Sequence, residues 1–410
     1  MTRAITETPN FPIVFVDDAH TFGGAQNVLG WAIRTLLCYC LAQPIICVCT
    51  PATREAIQKI TGEDKNLRFV DCPPALPLNI FLFPLRLWSF YKLLAPLVKQ
   101  GTNGWWFNLA GIEFNLAPLV ILRFWGLRPV AWLLNNEVLL FFNANGSRPR
   151  KVLCLIRDAV ANRFIFGLYR CVVTLSHATE VSLKDRIRCN NPPRTGFLYP
   201  VTGVGREVLQ VCNGSASSAS IDLWMVGRVE FGHKNNLAGL EVLKHQLLKK
   251  KNASLTIVGD GPDLDSLLNA TKHSGFSDNV HFRNWESNPW KAVPQGAIVL
   301  IPSLWESFCL VAREVMLCGI RLVVSPIPVF YEWIPRELIA RDFTTEAFAE
   351  KVEEVAAMSD ERLLALYAPV LDKLTEEAFV AKFLSISQEE FGEALWNSSI
   401  RSTRDGHSAS

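Results

Sequence analysis

Short apolar runs that end in a polar turn and lead into helical periodicity recur along this chain, and that alternation is the strongest constraint on its fold. "FPIVFVDD" (11–18) leads through a glycine-containing turn into "GGAQNVLGWAIRTLL", and "PIICVCT" (44–50) leads into "PATREAIQKI". A strand covered on both faces reads as a continuous apolar run, and helices between such strands imply a parallel sheet. Further buried strands are expected at 105–108, 130–134 and 171–175. The pattern halts at 205–222, where Ser, Gly, Ala and Asn crowd residues 213–220 in the manner of a linker or mobile loop. It restarts with "LWMVGR", a helix near 236–250, "SLTIVGD", a helix near 262–273, "NVHF", "AIVLIP", a helix around Glu314 and "IRLVVS". At 410 residues the chain exceeds one hydrophobic core. The expected fold is therefore α/β, with two Rossmann-like domains facing across a cleft, at 1–204 and 223–374. In such folds ligands gather at the carboxyl ends of the strands. A helix is expected within 375–400, free to cross back to the first domain, with a disordered tail at 401–410.

Composition narrows the functional classes. Apolar residues make up 49% and charged residues 20%, which suits a folded globular chain. The longest apolar stretch, 76–98, is interrupted by Pro84, Arg86, Lys92 and Pro96, so no spanning helix is expected. The opening segment holds only five or six apolar residues before two aspartates, unlike a secretory signal, and a cytoplasmic location is expected. Eleven scattered cysteines lack zinc-ligand spacing and read as reduced, mostly buried thiols. Charge is divided unevenly: residues 1–212 hold 22 basic and 13 acidic side chains, and 81–170 hold 11 and 3. Such a field suits an anionic membrane surface, and uneven solvation of two domains accounts for it equally well.

Chemistry concentrates in "IPSLWESFCLVAREVMLCG" (301–319), where Glu306 and Glu314 stand eight positions apart around a turn that follows an apolar strand. The helix start near Ser307, Phe308, Cys309, Leu310 and Val311 would present unpaired N–H groups suited to a pyrophosphate. Glu314, a turn further on, can accept two hydrogen bonds from a vicinal diol. In "WMVGRVEFGHKNN", Gly227 and Arg228 follow a strand and Lys234 lies six residues beyond Arg228, so two cations could meet a diphosphate. Solvated surface residues remain the alternative for each group taken singly. "DLD" (263–265) has the Asp-x-Asp form of some metal sites, but acids at a helix start also favour its dipole, and no metal is expected. "IVGDGP" (257–262) has neither dinucleotide-fingerprint nor P-loop spacing and reads as a strand with a tight turn.

Taken together, "GGAQ" (23–26), "VVTLS" ending at Ser176, "VGR" with Lys234, "IVGDGP" and the E-x7-E pair resemble the family 4 retaining glycosyltransferases of the GT-B fold. The resemblance is dense from about 222 to 326 and looser before that. It implies transfer of a sugar from a nucleotide-sugar donor to a saccharide or lipid-linked saccharide acceptor of the cell envelope, with retained configuration and neither metal nor cofactor. It also implies roles: Glu306 toward the donor sugar, Glu314 toward the ribose, Arg228 and Lys234 on the diphosphate, and Gly23 and Gly24 in a first-domain loop that approaches phosphates and acceptor.

This chain departs from the family twice. Cys309 stands where the family often has Gly, and "VAWLLNNEVLL" stands where many members have a His. Asn135, Asn136 or Glu137 are the candidates to fill that place, with His20, just before the glycine loop, as a polar substitute and an ordinary loop His as the alternative. A GT-B epimerase, a phosphorylase or a non-catalytic sugar-nucleotide or lipid-binding protein are the other readings. Residues 147–170 alternate cations and apolar groups at helical spacing, with Arg157, Arg163 and Arg170. That pattern fits a helix lying at the inner face of the cytoplasmic membrane and equally a core helix with snorkelling arginines. No nucleic-acid partner is expected.

Overall fold

The computed structural model describes residues 12–17, 24–39, 44–72, 83–100, 105–110, 116–134, 159–203, 220–249, 252–286 and 288–391. They divide into two compact units. The described residues up to Val201, together with those from Glu376 onward, form the first; Thr202–Thr375 falls in the second.

The first unit is built on seven parallel strands: β1 (Ile13–Asp17), β2 (Ile45–Cys49), β3 (Leu67–Asp71), β4 (Trp105–Ala110), β5 (Val130–Leu133), β6 (Cys171–Thr174) and β7 (Arg194–Phe197), in the order β3-β2-β1-β4-β5-β6-β7. β1 and β2 are buried at every position, β2 as an unbroken apolar run and β1 as four apolar residues closed by Asp17, which accepts from the Gln26 amide. Helices α1 (Gly24–Cys38), α2 (Pro51–Thr61), α3 (Phe83–Gln100), α4 (Leu116–Phe124) and α5 (His177–Lys184) lie among them. Local chemistry sets several starts. Thr50 accepts from the Thr53 N–H with Pro51 at the first turn of α2, and Ser176 closes a capping box with Thr179 on α5.

The second unit has five parallel strands, β8 (Ser220–Val226), β9 (Asn252–Val258), β10 (Val280–Arg283), β11 (Ile298–Ile301) and β12 (Arg321–Val324), ordered β10-β9-β8-β11-β12. Its helices are α6 (Phe231–Lys234), α7 (Asn236–Leu248), α8 (Leu264–Lys272), α9 (Leu310–Leu317), α10 (Pro328–Trp333), α11 (Thr345–Ala356) and α12 (Asp360–Leu371). β8 starts at Ser220, so the last residues of the 205–222 segment are strand; 205–219 lie outside the described residues. Helix α13 (Glu376–Phe391) belongs to the first unit. It sets Phe383 5.0 Å from Phe107 and Phe379 6.4 Å from Trp132, ring centre to ring centre.

Two strands escaped the sequence reading, β3 and β7, both at the edges of the first sheet. The segment 147–170 also differs from a single periodic helix. Its described part, 159–170, includes a π turn at Ala161–Ile165 and a 3-10 turn at Phe166–Leu168 before β6. Arg163 there donates to the Arg188 carbonyl and Asn190, and Arg170 to the Glu390 carbonyl, so both are engaged within the unit. Arg157 lies outside the described residues. Among the described residues no helix is long and apolar enough to cross a membrane. The eight described cysteines are free thiols, six of them buried.

Candidate functional site

In the second sheet β8 is flanked by β9 and β11, the point where strand order reverses. In open α/β sheets ligands gather beyond the carboxyl ends of the strands at such a point. The loop after β8 carries Gly227, Arg228 and Lys234, and the loop after β11 carries Glu306. They are joined by a backbone bond from the Leu304 N–H to the His233 carbonyl, 2.8 Å. The β8 loop is pinned on its other side, since the Phe231 N–H donates to Asp263 at 2.7 Å and the Glu230 N–H to Asn236 at 2.8 Å. Asp263 thus serves as an acceptor for backbone, and "IVGDGP" packs as the neighbouring turn: the Val229 N–H reaches the Asp260 carbonyl at 2.9 Å.

Glu306 is the charged centre where these two loops meet. Its side chain is 7% exposed and takes the Lys234 Nζ at 2.6 Å and the Ser303 hydroxyl at 2.8 Å on Oε1. On Oε2 it faces His233 Nε2 at 3.8 Å. Burial would raise the carboxyl pKa; Lys234 and His233 outweigh that and hold it well below the usual range. Lys234 shows the converse, its burial overridden by Glu306, so that its pKa is raised and its charge fixed. The His233 ring lies flat on Trp305 at 3.6 Å and an interplanar angle of 1°, which locks the residue before Lys234 to the residue before Glu306. Arg228 is 61% exposed, with Nε 3.5 Å from Glu230. It is the more exposed cation of the two.

Helix α9 begins after Cys309, which has φ 78° and ψ 85°. That left-handed conformation disfavours any residue with a Cβ. Cys309 therefore holds backbone strain at this turn that a glycine would not. Burial pushes the Cys309 thiol pKa up, so it stays protonated beside Glu306. Because Ala keeps the strain and Gly relieves it, Cys309→Gly should be more stable than Cys309→Ala by about 1 kcal/mol in urea unfolding, the reverse of the order in an ordinary helix.

Glu314, in α9, accepts from the Thr202 hydroxyl on Oε1 and the Trp290 indole N–H on Oε2, both at 3.1 Å. Burial raises its pKa against those two hydrogen bonds. Ser307 and Phe308 precede the helix and Leu310 and Val311 open it; Phe308 is buried and stacks on Trp333 at 4.6 Å, which makes it an anchor for the turn.

The structure thus brings together Gly227, Arg228, Lys234, Glu306 and the start of α9. Gly24 is the exposed first residue of α1, in the first unit; Gly23, His20, Asn135, Asn136 and Glu137 lie outside the described residues. Sequence reasoning missed Ser303, His233, Trp305, Trp290 and Thr202. Their only signal was adjacency: His233 precedes Lys234, and Trp305 precedes Glu306.

Residues 220–358 match the family model described as glycosyl transferases group 1. Over 158 residues the chain is 23% identical to the O-antigen biosynthesis glycosyltransferase WclY of Escherichia coli, a stretch covering 38% of this chain and 45% of that protein. The match therefore spans less than half the length of that relative. A glycosyltransferase structure from Rickettsia africae superimposes with a TM-score of 0.68 at 15% identity, over 95% of this chain and all of that one. Anabaena HepE in complex with UDP and glucose gives 0.64 at 16% identity, over 92% and 100%. These structures share the two parallel α/β units, the GT-B fold. Residues 220–358 thus carry this chain's likeness to glycosyl transferases group 1.

Proposed function

We propose that the protein is a retaining glycosyltransferase that moves a sugar from a nucleotide-sugar donor to a saccharide or lipid-linked saccharide acceptor of the cell envelope. One observation carries the reading: the buried Lys234–Glu306 pair lies where the β8 and β11 loops meet, with Glu314 further along the helix that leaves the second loop. Loss of a nucleoside diphosphate develops negative charge on the departing phosphate. Lys234, held charged by Glu306, and the more exposed Arg228 supply fixed and adjustable positive charge, and the α9 N–H groups add a dipole. Glu306 is kept ionised for the sugar hydroxyls, and Glu314, steadied by Trp290 and Thr202, faces the ribose diol. The cell-envelope acceptor is supported by the likeness to the O-antigen enzyme, and UDP is the first nucleotide to try because HepE binds it.

The test is a thermal-shift and titration panel of nucleoside diphosphates and their sugars. One base should raise the melting temperature. Arg228→Ala should weaken binding of that diphosphate about tenfold or more while leaving the fold unchanged, since a charge-assisted hydrogen bond contributes about 1.5–3 kcal/mol. Absence of any nucleotide response, or an unchanged affinity in Arg228→Ala, would overturn the reading. The anomeric configuration of the product, read by NMR, tests retention.

A further inference from the structure

Helix α3 is apolar on both sides, yet only one side is packed. Phe90, Leu94, Leu97 and Val98 are buried against β1, β2 and α4. The opposite side presents Leu85, 64% exposed, Trp88, 56% exposed, and Tyr91. The neighbouring α4 continues this surface with Val120 and Phe124, the latter 76% exposed. The aromatic groups are ordered: Trp88 stacks on Tyr91 at 5.7 Å and 4°, and Tyr91 meets Trp125 at 5.2 Å, so a ladder of rings bridges the two helices. Lys92 Nζ sits 5.0 Å over the Trp88 ring. α3 and α4 together carry Arg86, Lys92, Lys99 and Arg123 and not one Asp or Glu.

We infer that this outer face of α3 and α4 docks onto an anionic lipid bilayer. An amphipathic surface that pairs Trp and Tyr with Lys and Arg, and excludes acids, suits the headgroup boundary: rings reach the acyl edge while cations remain at phosphate depth. Charge complementarity selects the lipid surface over a second copy of this chain, because two such faces would bring like charges together. The basic segment that the sequence singled out, 147–170, is a poorer candidate, since Arg163 and Arg170 already bond within the unit. Docking here is independent of whether the second unit transfers sugars.

The experiment is co-sedimentation of the full-length protein with phosphatidylcholine vesicles, with and without phosphatidylglycerol, at low and high salt. Wild type should bind only the phosphatidylglycerol vesicles and be released by salt. Trp88→Ala with Phe124→Ala should lose binding at least tenfold with an unchanged melting temperature, because both rings are more than half exposed. Lys92→Gln should lose roughly fivefold, and Arg163→Gln should bind as wild type. Failure of wild type to bind, or undiminished binding by the double variant, overturns the inference. So does a wild-type dimer that Trp88→Ala with Phe124→Ala makes monomeric, which would assign the face to a second copy.

Discussion

Lys234→Met should destabilise the second unit by about 3–5 kcal/mol, and adding Glu306→Gln to the same chain should restore most of that loss. Removing the ammonium leaves a carboxylate that is 7% exposed and faces only neutral or distant donors, the Ser303 hydroxyl, the Cys309 thiol and the His233 ring among them. Glu306→Gln alone should cost less, since Lys234 keeps 23% of its side chain exposed and can turn to water. Urea unfolding followed by hydrogen exchange in β8 and β11 reports on this unit separately from the first. A Lys234→Met chain within 1 kcal/mol of wild type would mean that the pair is screened as a surface pair is. The pH dependence has a defined sign. The Glu306 pKa is depressed on folding, so its contribution is present above the unfolded carboxyl pKa near 4.3 and lost as pH falls below that. The Lys234 pKa is raised, so its contribution is present below about 10.4 and lost above. The variant should therefore differ most from wild type between those limits and converge with it in acid.

How much of this could be read beforehand depended on burial. Strands covered on both faces, such as β1 and β2, announce themselves as apolar runs. β3, "LRFVD", has no buried position, and β7, "RTGF", contains a glycine and an exposed arginine, so an edge that lacks a covering layer sends little hydrophobic signal. Arg228 and Glu306 were legible because each stands in the loop after a strand, and Lys234 and Glu314 because each lies in the first helix beyond such a loop. Their partners were not. His233 and Trp305 lie in loops from strands that become neighbours only through the sheet order, and Trp290 meets Glu314 across 24 residues. Nor does a cysteine reveal that it sits at φ 78°. The 147–170 segment shows the opposite error, in which helical spacing persisted in sequence although its described part includes π and 3-10 turns.

The largest effect of a small change is expected at Gly259. A Cβ there would lie 1.9 Å from the Gly227 carbonyl oxygen and 2.9 Å from its carbon, and φ is +146°. Both obstacles are backbone, so no rotamer change can relieve them. Gly259→Ala must separate the turns after β8 and β9, breaking the bonds from the Gly227 N–H to the Val258 carbonyl and from the Val229 N–H to the Asp260 carbonyl. Two hydrogen bonds and overpacking together amount to at least about 3 kcal/mol. The damage passes directly into the site, because Arg228 lies between the two broken bonds and Lys234 on the turn they support. Gly275→Ala supplies the control: φ is +80° and nothing lies within 4 Å of its Cβ, so only the conformational penalty of about 1 kcal/mol applies. Thermal unfolding and nucleotide titration of the two variants should separate them sharply, with Gly275→Ala retaining nucleotide affinity and Gly259→Ala losing it even where the first unit remains folded. Equal stability of the two would show that the β8 and β9 turns can move apart, and with them the Lys234–Glu306 pair.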